Sequence, residues 1–408
     1  MDYSAQRIYL STPHMGGEEL DYVHDAFQKN WIAPLGENVD GFEEDLQNYT
    51  RREHVTAVTS GTAAMHLALI ICDVQPGDEV ICQSLTFAAT ANPIKYQGAT
   101  PIFVDSEAET WNMDPQLLEQ TILDRIQQKG EKPKAIIVVH LYGMPAKIDS
   151  ILKIGQKYDI PVIEDAAEAL GASVNGRKCG NFGKLSILSF NGNKIITTSG
   201  GGALLGNEEG LISKARFLST QARDPAPHYQ HSELGYNYRM SNIVAGIGRG
   251  QIKVLDKHVE KRRSNHNYYF EELNGNWLET GYNDSSSEVG FSRNNETNGI
   301  YFLQEPDGYF SNRWLTTILV NPEESGGITR EHIRLSLAEQ NIECRPLWKP
   351  MHQQPLYKDS IYYGNGLSDT LFKYGLCLPS GSNLTEQELS RIVDSIKVCL
   401  REYRSQVI

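Results

Sequence analysis

Between residues 55 and 205, short apolar runs alternate with helix-patterned stretches, and this alternation constrains the fold more tightly than any other feature. The runs at 135–140 and 161–165 are nearly continuous in β-branched and aliphatic residues, as in parallel strands covered on both faces. Runs at 55–59, 79–82 and 100–105 read the same way, each followed by a small-residue turn or a helix start. The pattern predicts an open, mainly parallel α/β sheet. Ligands of such sheets bind beyond the carboxyl ends of the strands, and His140, Asp165 and Lys194 all fall at or just past such ends.

Around this frame the chain divides. At 408 residues it exceeds one ordinary core. Residues 1–250 read as a large domain with an extended N-terminal arm, and 251–408 as a smaller α+β domain. Within the latter, 281–312 is rich in Asn, Ser and Gly and reads as an exposed insertion. Helices are expected from Gly16 onward, with Leu20, Val23, Ala26 and Phe27 on one face, and over 254–273. The net charge of −13 opposes nonspecific binding to nucleic acid or to an anionic membrane. The six cysteines show no metal or disulfide spacing, so no metal site is expected. The start lacks a secretory pattern, and no run approaches the ~20 apolar residues of a membrane span, so a cytoplasmic protein is expected.

The chemistry concentrates at three points. Lys194 sits between a strand-like run ending at Phe190 and a segment closed by Gly200, Gly201 and Gly202. A partly desolvated lysine at a strand end is suited to act as an amine nucleophile that forms a Schiff base. Asp165 ends an apolar strand, where a carboxylate either caps the next turn or faces a buried cation. Ser60, Gly61, Thr62 and Ala63 join a strand to a helix, and free N–H groups there favour an anion. An amine, a carboxylate and an anion site are what pyridoxal 5′-phosphate needs for its aldehyde, pyridine nitrogen and phosphate. Phe87 is an aromatic side chain placed to stack on its ring.

The segments 60–64, 164–169, 189–202, 235–239 and 345–348 resemble the DegT/DnrJ/StrS-type sugar aminotransferases, and the likeness runs over most of the chain. It implies the fold-type-I aminotransferase architecture. It further implies that Lys194 carries the cofactor and moves the proton, that Asp165 pairs with the pyridine nitrogen, and that Phe87 stacks on the ring. Gly61, Thr62, Ala63 and Ser189 would hold the phosphate, with Asn237 reaching it from a neighbouring subunit of a homodimer. Glu168 stands where the family often has Gln or His against the ring oxygen, so it would have to be protonated or receive a hydrogen bond. Arg239 would lie beside the acidic co-substrate or sugar nucleotide, and His14, Trp31, His228 and Trp348 are candidate walls of the substrate site.

The phrases at 34–36, 191–199 and 219–223 are similar to the branch that aminates UDP-linked 4-keto-6-deoxy-N-acetylhexosamines on the bacillosamine and legionaminic acid routes. That resemblance implies ping-pong transfer from L-glutamate to C4 of the ketosugar. The alternatives are a GDP- or dTDP-linked ketosugar, amination at C3, or a binding protein that keeps the pocket without turnover. Relatives that act as sugar 3-dehydratases carry histidine at the lysine position, and Lys194 opposes that reading.

Overall fold

A computed structural model describes residues 6–278 and 298–407, with side chains described as far as Arg401. The alternating segment forms one large sheet. Its strands are β1 (His54–Val58), β2 (Glu79–Gln83), β3 (Thr100–Val104), β4 (Ala135–Val139), β5 (Val162–Asp165), β6 (Leu185–Ser189) and β7 (Gly202–Gly206). They lie in the order β1-β7-β6-β5-β4-β2-β3, and Tyr362–Tyr363 adds an eighth strand beside β3. The pairs from β3 to β6 are parallel, whereas β7 runs antiparallel to both β6 and β1.

Strand alternation explains how the sheet is buried. Val55, Ala57, Ile81, Ile136 and Val138 face one layer, where Phe42 and Leu46 of the helix Glu37–Thr50 pack. Val58, Val80, Cys82, Ile137, Ile163 and Ile187 face the other, against Met65, Leu67 and Leu69 of the helix Gly61–Ile71. The open, mainly parallel α/β sheet expected from the alternation is therefore present.

The second half builds a five-stranded sheet in the order 276–277, 300–302, 316–320, 375–378, 345–346. Its core contains Ile300, Phe302, Ile318, Val320, Leu376 and Leu378, and the terminal helix supplies Ile392 and Ile396. Three expectations change. The part of the supposed insertion from 298 to 312 is structural: Ile300, Tyr301 and Phe302 are fully buried, and Tyr309–Phe310 pairs with Ser173–Val174. The remainder, 281–297, lies outside the described residues. The boundary at 250 falls inside the helix Asn242–Ile252, and the N-terminal arm contacts both halves, with Ile8 bridging to Ile342 in the second core and Ser11 bonding Asn193 in the first half. On the helix Glu19–Gln28, Ala26 is buried but Leu20 and Phe27 are more than half exposed, so the shared apolar face does not pack within the chain.

Candidate active site

The register brings the site together. Because β7 is antiparallel to both its neighbours, β1 and β6 run in the same direction and end at the same edge as β5. Gly202 pairs with Val58 on one side and Ser189 on the other. A Cβ at Gly202 would sit 2.3 Å from the Ser60 carbonyl carbon and 2.4 Å from the Gly61 nitrogen. Glycine is therefore what allows the start of the helix Gly61–Ile71 to lie directly over the strand ends. A Cβ at Gly61 would likewise lie only 3.0 Å from that of Ser189.

The helix is capped by Ser60, whose hydroxyl accepts from the Ala63 N–H at 3.0 Å. This corrects part of the expected anion site: the Ala63 N–H is already used, and Ala63 does not line the pocket. Gly61, Thr62 and Ser189 do. As the first two helical residues, Gly61 and Thr62 have N–H groups without intrahelical acceptors.

Strand β5 sends its last two side chains to opposite faces. Glu164 turns inward and is fully satisfied: its oxygens accept from Gly180 N, Phe182 N, Ser186 Oγ and His140 Nε2 at 2.6–3.0 Å. His140 is completely buried and accepts the Ala146 N–H at Nδ1, which places its proton on Nε2, toward Glu164. His140, Glu164 and Cys179 offer ligand-type atoms within 4.8 Å of one another, but these bonds make the cluster a structural network behind the pocket. Asp165 turns the other way and lines the pocket while 6 % exposed. Thr90 donates to its Oδ2 at 2.8 Å, and Ala167 N donates to Oδ1 at 3.2 Å. The capping reading of Asp165 is present, with Oδ1 accepting the Ala167 N–H, and the carboxylate also borders the cavity. Burial raises its pKa, which a cation in the pocket would offset.

Lys194 lies in the loop between β6 and β7, which is closed at its base by Phe190 N to Gly201 O and Thr198 N to Phe190 O. Its side chain is 10 % exposed, with Nζ 3.6 Å from Glu168 Oε1 and 4.2 Å from the centre of the Trp314 ring. Glu168 is buried, accepts the Tyr142 N–H at 2.7 Å, and its carboxyl is pushed up to about 7, chiefly by burial with Lys194 opposing. It is thus a carboxyl able to hold a proton near neutral pH. The cavity, of about 190 Å³, is completed by aromatic rings: Phe87 and Trp348 lie 5.3 Å apart, and Trp348 lies 6.2 Å from Trp314.

Lys194, Asp165, Glu168, Ser189, Gly61, Thr62, Phe87 and Trp348 meet in this one cavity. The others do not. Arg239 is 8 % exposed and committed to the interior, where it pairs with Glu43 and donates to Thr56 Oγ1 and Ala57 O, both at 3.0 Å. That ion pair ties β1 to the helix beneath it, so the expected substrate contact from Arg239 is corrected to a structural one. His14 stacks on His258 and bonds Ser382; Trp31 donates to Leu35 O; exposed His228 meets Gln230. None of these three lines the pocket of its own chain, and neither does exposed Asn237. Sequence reasoning missed Trp314 and Thr90. Thr90 lies in the first turn of the helix Ala88–Tyr96, and its hydroxyl bonds that of Thr86, just before the helix, at 2.8 Å. Trp314 had no signal beyond its place beside a strand.

A lone lysine amine over a pocket, a buried carboxylate across it and open helix N–H groups fit the aldehyde, pyridine nitrogen and phosphate of pyridoxal 5′-phosphate. Comparison with known proteins agrees. Residues 13–397 match the model of the DegT/DnrJ/EryC1/StrS aminotransferase family. A Bacillus subtilis protein described as a pyridoxal phosphate-dependent aminotransferase, EpsN, is 50 % identical over 393 residues, covering 95 % of both chains. The GDP-perosamine synthase of Caulobacter vibrioides is 35 % identical over 390 residues, covering 96 % of this chain and 97 % of its own. The crystal structure of a DegT DnrJ EryC1 StrS aminotransferase from Brucella abortus superposes with a TM-score of 0.82 at 27 % identity, covering 93 % of this chain and 95 % of that one.

Proposed function

This chain belongs to the DegT/DnrJ/EryC1/StrS aminotransferase family as a pyridoxal phosphate-dependent enzyme, and we propose that it transfers the amino group of L-glutamate to C4 of a nucleotide-linked 4-keto-6-deoxy sugar. The observation that carries the reading is the convergence of Lys194, Asp165 and the start of the helix Gly61–Ile71 on one aromatic-walled cavity. The preferred acceptor is a UDP-linked N-acetylhexosamine, from the likeness of segments 34–36, 191–199 and 219–223 to that branch. A GDP-linked ketosugar is the second reading, favoured by the relatives named GDP-perosamine synthase.

When bound, the cofactor would supply an aldehyde for the amine and an electron-accepting ring. The protein's part follows from its own groups. Lys194 would hold the aldehyde carbon and, once released, carry a proton between the amino-bearing carbon and the cofactor. Asp165, kept in place by Thr90 and Ala167, would keep the pyridine nitrogen protonated. Gly61, Thr62 and Ser189 would take the phosphate, and Phe87 would cover one ring face. Glu168 would donate its proton toward the ring oxygen or share it with Lys194.

The site is proposed to be shared across a homodimer. Leu20, Phe27, Ile32 and Leu35 are each more than half exposed, and Asn237 is exposed and does not line the pocket of its own chain, as expected of a residue serving a partner's site. The experiment is an assay with L-glutamate and matched UDP-, GDP- and dTDP-linked 4-keto-6-deoxy sugars, reading 2-oxoglutarate and the amino sugar by mass. Amination of the UDP-N-acetyl substrate above the others supports the preferred reading, and preference for the GDP-linked sugar replaces it with the second. Turnover of none contradicts both.

A further inference from the structure

Lys194 is gripped from behind by a network that no catalytic role accounts for. The carbonyl of Asn193, immediately before the lysine, accepts two hydrogen bonds: from Trp314 Nε1 at 2.7 Å and from Ser11 Oγ at 2.8 Å. Both donor residues are held by one guanidinium. Arg262 Nη1 donates to Trp314 O at 2.6 Å, and Arg262 Nη2 donates to Ser11 Oγ at 3.0 Å. One turn earlier on the same helix, Leu255–Glu272, His258 Nδ1 lies 3.3 Å from the carbonyl of Ile195, the residue after the lysine. The carbonyls of the residues before and after Lys194 are therefore both tied, directly or through Trp314 and Ser11, to one helix, and the ring of Trp314 lies under the amine itself.

Arg262 is unusual among the cations of this chain. It is 1 % exposed, pairs with no carboxylate among the described residues, and its Nε has no partner. Burial lowers its pKa to about 9. A buried guanidinium without a counter-ion is costly, and its retention calls for a task that its forked donors perform. It joins the N-terminal arm to the segment just before the strand Thr316–Val320, and both of these hold the Lys194 loop.

We propose that Arg262 is a positioning residue for Lys194, acting through Trp314 and Ser11 to aim the amine at the cofactor's aldehyde carbon. The proposal rests on the reading of Lys194 as the attachment site. The bond concerned is a carbon–nitrogen double bond between the lysine Nζ and that carbon, formed with loss of one water.

The test strips the resident cofactor and follows the visible absorbance as pyridoxal 5′-phosphate recombines. Variants are Ser11→Ala, Trp314→Phe, their double, Arg262→Lys and Lys194→Ala, each checked for wild-type melting temperature. Binding of pyridoxamine 5′-phosphate, which fills the same pocket without condensing with an amine, is measured beside it. The double variant should recombine about ten-fold or more slowly, since misplacement of a reacting group by 1 Å can cost about 10²-fold. Its loss should exceed the product of the two single losses, because either donor alone still holds the Asn193 carbonyl. Arg262→Lys should follow the double variant, and pyridoxamine phosphate affinity should not move in Ser11→Ala or Arg262→Lys, which leave the pocket wall intact.

Wild-type recombination by the double variant would overturn the proposal, as would equal loss of affinity for both probes in Arg262→Lys. Wild-type behaviour of Arg262→Lys beside an impaired double variant would remove Arg262 from it. A lysine-bound band persisting in Lys194→Ala would instead refute the attachment site itself.

Discussion

At the scale of single residues, the pocket separates two carboxyls by their surroundings. Asp165 has two donors and borders the space where a pyridinium would sit, whereas Glu168 has one backbone donor and the Lys194 amine at 3.6 Å. Asp165→Asn keeps the shape and removes the charge. It should lower kcat on the order of 10²–10³-fold, as loss of a preorganised electrostatic partner does, and a steady-state assay checks this. Glu168 gives a pH signature. Its carboxyl is raised from 4.5 to about 7 in the fold, so its stabilising share is complete below 4.5 and is lost as pH rises through 7. The melting temperature of the cofactor-free protein should fall over that window, and Glu168→Gln should flatten the fall. These roles were partly legible. Lys194 and Asp165 stood out because strand ends bring chemistry to the sheet edge. Arg239 misled because a cation in a matching motif says nothing of where its partner lies, and Glu43 is 196 positions away.

At the scale of elements, the site depends on the helix Gly61–Ile71 starting directly against β7. Gly202 is the contact point, with no room for a methyl group beside Ser60 and Gly61. Gly202→Ala should push the helix start off the strands at a cost of about 1–3 kcal/mol. It should also weaken binding of the phosphate-bearing cofactor more than that of pyridoxal without its phosphate, as read by fluorescence titration. The three glycines were visible as a cluster. That Gly202 sits between Ser189 and Val58 was not, because β7 reverses direction between two strands distant in sequence and only register reveals it. The Asn- and Ser-rich composition near 300 likewise hid the strand Ile300–Phe302. Three apolar residues fill their places in the second sheet whatever the polarity of their flanks.

At the scale of the whole molecule, the proposed homodimer would cover the exposed apolar side chains near the N-terminus and bring exposed Asn237 to the partner's site. Light scattering should give twice the chain mass, and a stable monomer with full activity would contradict the shared site. Leu20→Asp combined with Phe27→Asp should shift the mass toward the monomer and reduce activity with it. No described helix is long and apolar enough to cross a membrane. The sheet order was legible only as a class, since alternation of strands and helices specifies neighbours poorly. The joining of the N-terminal arm to the second half through Ile8 and Ile342 spans 334 positions and left no local trace.

The most direct test of the central claim is chemical. The protein is saturated with pyridoxal 5′-phosphate, reduced with borohydride, digested and mapped by mass. The account predicts one reduced cofactor per chain, on Lys194, and loss of that adduct when L-glutamate is added before reduction. An adduct on any other lysine, or one that glutamate leaves untouched, would contradict it.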